Sequence, residues 1–138
     1  MIVVDEYLAV RALLGALPPD FPDEGLGLPV SAHWRLLQRV HTSGTGQLSK
    51  VLALLPASDR EVLRAPHPHV LEVLDPRPHL DEAAQIAAQY GGTGWLIAET
   101  ITAGLHHGRE LWYGNERNIG IRTREIAQEL EITIHVVS

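Results

Sequence analysis

Short, unbroken apolar runs alternate with amphipathic stretches along the whole chain, and this alternation constrains the fold more than any other feature. Ile2-Val3-Val4, Val70-Leu71-Glu72-Val73-Leu74, Leu111-Trp112-Tyr113 and Ile132-Thr133-Ile134-His135-Val136-Val137 read as strands. Runs apolar on successive residues suit strands covered on both faces, as in a parallel sheet. Between them the spacing predicts helices over 7–17, 32–40, 47–55, 58–64, 81–89, 95–107 and 121–130. Ser31 stands where an N-cap belongs, and Pro18-Pro19, Thr42 to Gly46, Pro56, Pro66-His67-Pro68 and Gly91-Gly92 mark helix ends. Four strands interleaved with helices predict an α/β domain with a mostly parallel sheet covered on both faces. Binding chemistry in such sheets gathers beyond the carboxyl ends of the strands. Here those ends are Asp5-Glu6, Asp75 and Asn115-Glu116.

A length of 138 residues suits one domain, 1–138. The formal charge of −6 excludes a uniformly basic nucleic-acid coat, although not a local basic patch. The absence of Cys excludes a disulfide scaffold, a thiolate metal site and a Cys nucleophile. No apolar run reaches spanning length, and the start lacks a basic stretch followed by an apolar one. The expectation is a cytoplasmic protein with no membrane association.

Asp5 is the most suggestive residue. An acid directly after a buried first strand is aimed at the crevice over the sheet, where gathered carboxylates hold Mg²⁺ or Mn²⁺ through hard oxygens. The same acid also suits the N-cap of the following helix, and the two roles are compatible. Residues 25–58 carry Arg35, Arg39 and Lys50 and no Asp or Glu, a local charge of +3 in an acidic chain. Arg35 and Arg39 share a helix face at i, i+4, where they suit phosphates, and Trp34 beside them suits stacking on a base. The plainer expectation puts Trp34, Leu37 and Val40 in the core and leaves the arginines solvated. Thr42 to Lys50 lacks the Gly-Lys-Ser/Thr spacing of a phosphate loop, and no strand precedes it. Gly91-Gly92-Thr93-Gly94 reads as a turn between two helices rather than an anion site. Of eight histidines, His67/His69 and His106/His107 are close pairs, but neither has metal-ligand spacing. His67 and His69 are expected on the surface. No Ser-His-Asp arrangement stands out.

Met1-Ile2-Val3-Val4-Asp5 followed by a Leu/Ala-rich helix resembles the start of PIN domains, especially VapC-type toxins. Val70 to Leu74 with Leu80 to Ala87 and Tyr90-Gly91 is similar to that family's penultimate strand–helix stretch. Trp95 to Gly108 looks like its acid-bearing helix, Arg109 to Ile119 like the strand and loop with a Thr-x-Asp-Arg-like motif, and Ile132 to Val137 like its closing strand. The resemblance covers 1–17 and about 70–138, while 18–69 match in helical character only. It implies a three-layer α/β/α PIN-like fold and a Mg²⁺- or Mn²⁺-dependent ribonuclease, with RNA as substrate and an antitoxin protein or a second copy as partner. Asp5 matches the first family acid. The second, a Glu in the first half, has no counterpart in the acid-free segment 25–58. Glu99 falls two or three residues late for the third, and two residues are about 200° of helical rotation. Asn115 falls on the fourth, with Glu116 beside it. The implied ligand set is therefore Asp5, Glu99, Asn115 and Glu116, with Arg35 and Arg39 toward RNA. Glu6 and Glu116 are candidate substitutes, against which stands that a residue next to a ligand on a strand points the other way, an objection softer on a loop. These departures imply a weakened site or, in the alternative, a non-catalytic PIN-like module that binds RNA or protein.

Overall fold

The computed structural model describes residues 1–42, 44, 46–65 and 67–138. The helix break at Thr42 to Gly46 and the stop at Pro66 fall partly on Ser43, Thr45 and Pro66, which lie outside the described residues. The elements run β1 (Ile2–Val3), α1 (Glu6–Leu13), β2 (Leu26–Pro29), α2 (Val30–His41), α3 (Gln47–Ala53) and α4 (Ala57–Leu63). They continue with β3 (Glu72–Leu74), α5 (Leu80–Gln89), α6 (Trp95–His106), β4 (Glu110–Tyr113), α7 (Ile121–Glu129) and β5 (Thr133–Val136). Two 3₁₀ turns, Arg77–His79 and Glu116–Asn118, precede α5 and α7.

Every strand pairing is parallel: β1 with β2, β2 with β3, and β4 with β5. A parallel bridge between Val4 and Trp112 and the Asp5 N–H donated to the Trp112 carbonyl at 3.0 Å join the two ladders. The resulting order is β3-β2-β1-β4-β5. It runs outward in both directions from β1, so the crevice between the ends of β1 and β4 is where the chain changes direction across the sheet.

Side-chain alternation divides the interior in two. Ile2, Val4, Leu26 and Leu28 pack with Leu8, Leu36, Leu52 and Leu63 from α1 to α4. Val3, Leu111 and Tyr113 pack on the other side with Ile86, Ile101 and Ile126 from α5 to α7. The mixed α/β class with parallel strands is thus as expected. Three readings need correction. A fifth strand, β2, lies inside the sheet, in a segment where no strand was expected. Helix α2 starts at Val30 after Pro29, so Ser31 lies within its first turn and is not the cap. Trp34 is 63% exposed, and the helix buries Ala32 and Leu36 instead.

Candidate functional site

The crevice between β1 and β4 is built around Asp5. Strand β1 ends there because Asp5 caps α1, its Oδ1 accepting from the Leu8 N–H at 2.9 Å. The same oxygen accepts from the Gly114 N–H at 3.0 Å, tying the end of β1 to the end of β4. Gly114 must be glycine at this junction: a Cβ there would lie 2.9 Å from the Tyr7 Cβ and 3.0 Å from the Leu8 nitrogen. Asp5 Oδ2 accepts from Asn118 Nδ2 at 3.0 Å, and Glu6 Oε2 accepts from that same nitrogen at 2.9 Å. One amide therefore bridges two carboxylates. Glu6 Oε1 lies 3.5 Å from Arg35 Nη1. It is buried and has no hydrogen-bond partner among the described residues.

Both acids are almost fully buried, and burial governs the electrostatics. Desolvation pushes the Asp5 carboxyl up to about 6, against the pull of the Leu8, Gly114 and Asn118 donors, and the Glu6 charge adds to the rise. Burial first, then the Asp5 and Glu6 charges, holds the Tyr113 hydroxyl firmly in its neutral form. A cavity of about 210 Å³ opens above the cluster, lined by Asp5, Glu6, Arg35, Thr100, Asn118 and Thr123. A second cavity of about 210 Å³ adjoins it through the shared Arg35 and Asn118, and its walls add Arg39, Arg117, Tyr7 and Gln47. Three guanidinium groups thus flank an acidic centre, in a chain whose net charge is −6.

Of the residues expected at the site, the structure brings Asp5 and Arg35 together and sets Arg39 along the adjoining cavity. Glu99 is elsewhere. Its Oε2 accepts from the Val30 N–H at 3.1 Å and its Oε1 from the Ser31 N–H at 2.8 Å, with the Ser31 hydroxyl also hydrogen-bonded to Oε1. It caps α2 and lines a different, smaller cavity beside His79 and His107. Asn115 caps the 3₁₀ turn, its Oδ1 accepting from the Arg117 N–H at 2.9 Å. Glu116 is exposed and reaches Arg124 at 3.5 Å.

Asn118 and Glu6 take the places next to Asp5. Asn118 lies three residues after Asn115, one 3₁₀ turn on, so the spacing within 115–118 was the available signal. Glu6 is the first residue of α1 rather than a strand neighbour of Asp5. The strand–helix corner lets adjacent side chains converge, and the alternation argument against Glu6 does not hold there.

No family model, no curated protein and no solved structure matches this chain.

Proposed function

We propose that this chain is a three-layer α/β/α PIN-like ribonuclease domain, with its site at the Asp5–Glu6–Asn118 cluster. The observation that carries the reading is the pairing of two buried carboxylates at the β1/β4 crevice with an arginine-lined cavity that shares Arg35 and Asn118. Helices α1–α4 and α5–α7 on opposite faces of a parallel sheet support the layered fold.

The donor set fits a hard dication. Its groups are oxygens, one of them, Glu6 Oε1, is buried without a hydrogen bond, and two carboxylates meet within reach of one amide. Asp5 and Glu6 would hold Mg²⁺ or Mn²⁺, and Asn118, whose nitrogen bridges the two carboxylates, would join them only by turning its amide oxygen inward. A bound dication supplies Lewis acidity toward a phosphodiester oxygen and lowers the pKa of a water ligand. The chain's own groups do the rest. Without an ion, burial holds the Asp5 carboxyl up at about 6, so seating a dication there would release any proton it carries. Arg35, Arg39 and Arg117 bind and orient the phosphates of a single strand. The Gly114 N–H and the Leu8 N–H fix the Asp5 carboxylate in place.

One observation favours a second reading, the non-catalytic RNA-binding module. Glu99, Asn115 and Glu116 are engaged away from Asp5, and the two carboxylates that remain already face Asn118 and Arg35. Calorimetric titration with Mn²⁺ on the wild type and Asp5→Ala separates the two. Saturable binding that is lost in Asp5→Ala, together with Mn²⁺-dependent cutting of a single-stranded RNA pool, is the expected result. RNA binding in chelator with no saturable Mn²⁺ binding would replace the nuclease with the binding module.

A further inference from the structure

A second group of metal-type donors lies at the far end of the α5–α6 hairpin. His79 precedes α5, Glu82 sits in its first turn, and His106 ends α6. The two helices are antiparallel neighbours, so the start of one meets the end of the other. One donor atom from each of the three side chains lies within 4.8 Å of the other two. His106 Nε2 and Glu82 Oε2 are in direct hydrogen-bond contact. The His79 and His106 rings stack at 3.8 Å between centroids with 14° between planes. The imidazole pair that the sequence places side by side, His106/His107, is not the pair that the fold assembles.

We propose that His79, Glu82 and His106 form a binding site for a borderline transition ion of the Zn²⁺ class, separate from the Asp5 cluster. Two imidazoles and one carboxylate are the donor mixture Zn²⁺ takes when three protein ligands leave a position open, whereas Mg²⁺ takes oxygens. His106 and Glu82 side chains are 37% and 38% exposed, so an ion reaches them from solvent. Tetrahedral Zn²⁺ wants donor–donor separations of about 3.3 Å, which rotation of side chains supplies with the helices held still. An imidazole coordinates in its ring plane, so two nearly parallel rings cannot both aim at one ion. Seating the ion therefore unstacks His79 from His106, a change with its own readout. The competing account is a plain His106–Glu82 ion pair with His79 stacked upon it.

The test uses tag-free full-length protein at about pH 7.5. Titration with Zn²⁺, and with Co²⁺ as a visible reporter, is expected to show one saturable equivalent that persists in Asp5→Ala. Glu82→Gln should weaken it about tenfold or more, the His79→Ala/His106→Ala pair should abolish it, and Asp5→Ala should leave it unchanged. NMR of the imidazole protons should show His79 and His106 losing mutual ring-current shielding on Zn²⁺ addition. Zn²⁺ should also raise the wild-type Tm by about 4 °C or more and leave that of the double variant unmoved. The proposal is overturned by equal Zn²⁺ binding in wild type and double variant, by loss of the site in Asp5→Ala, or by no saturation below about 1 mM. Should the double variant not fold, Glu82→Gln decides by the same titration, and unchanged affinity there also overturns the site.

Discussion

At the scale of single residues, the chain keeps a buried acid where a neutral group would be more comfortable. Asp5 is raised from 3.8 to about 6 because burial outweighs its three hydrogen-bond donors. Between those values the folded protein holds a proton that the unfolded chain has released. Stability therefore falls as pH rises through this window, and the full loss, about 3 kcal/mol for a shift of this size, persists above it. Asp5→Asn removes the charge and keeps an oxygen for the Leu8 and Gly114 N–H groups, while the Asn118 amide has to turn to meet the new nitrogen. The variant should be more stable than wild type by about 1–2 kcal/mol at pH 8, with the gap closing toward pH 4. Urea unfolding of both proteins across that range checks this, and a gap independent of pH would show that Asp5 is not the group responsible. Loss of Mn²⁺ binding in the same variant would show what the strained acid is kept for. Asp5 was legible in the sequence because its position after the first strand fixes both its cap role and its place over the sheet. Asn118 was not, because nothing in a polar loop says which of several residues a single 3₁₀ turn will carry back to the strand end. Glu6 was discounted by a rule for strands that does not apply where the helix starts.

At the scale of elements, Glu99 shows how a buried carboxylate serves packing rather than chemistry. Helix α2 begins after Pro29, which offers no side-chain acceptor, so its first N–H groups need a partner from outside. Glu99 of α6 supplies it for Val30 and Ser31, and an anion there also suits the helix dipole. Glu99→Ala strands two backbone donors and one hydroxyl in a buried place and should cost about 2–4 kcal/mol. Glu99→Gln keeps acceptors but loses the charge and should cost about 1–2 kcal/mol. Chemical denaturation measures both, and Mn²⁺ affinity of the folded protein should stay at the wild-type value. An Ala variant within about 0.5 kcal/mol of wild type would mean that solvent satisfies those donors. Counting residues along a helix gives the angle of Glu99 but not the neighbour it meets, and the cap is 68 residues away in sequence. Strand β2 was hidden for a related reason. Leu26-Gly27-Leu28-Pro29 carries two residues that usually break strands. At Gly27 a Cβ would lie 2.7 Å from the Met1 sulfur and 2.9 Å from Leu74 Cδ2, so the strand passes close beneath these two side-chain ends. Pro29 closes the strand, where its missing N–H is tolerated. Strands β1, β3, β4 and β5 advertise themselves through β-branched and aromatic runs that need no such close approach.

At the scale of the whole molecule, the parallel order β3-β2-β1-β4-β5 brings together parts of the chain that composition treats separately. The acid-free segment contributes Arg35 and Arg39, the corner between β1 and α1 contributes Asp5 and Glu6, and the loop after β4 contributes Arg117 and Asn118. Alternation of strand and helix made the sheet class readable, but the meeting of these three segments depends on β2, which hid in the sequence and which leads directly into the arginine-bearing helix. The net charge of −6 opposes a polyanion at long range, so the proposed RNA binding would have to come from this local cavity. Screening makes that argument measurable. Three arginines neutralising phosphates of a single strand predict a slope of about −2 for log affinity against log salt. That slope is an affinity loss of about 20-fold between 50 and 200 mM salt. Arg117→Gln should reduce the slope by about 0.7 and weaken binding uniformly across RNA sequences. Arg35→Gln should do the same and also strip Glu6 of its ion-pair partner, so it alone among these changes should alter Mn²⁺ affinity as well. Fluorescence anisotropy with a short single-stranded RNA in chelator reads the slopes without any contribution from cleavage. A wild-type slope near zero, or one that Arg117→Gln leaves untouched, would remove the arginine cavity from the account and leave the buried acids without a path for their substrate.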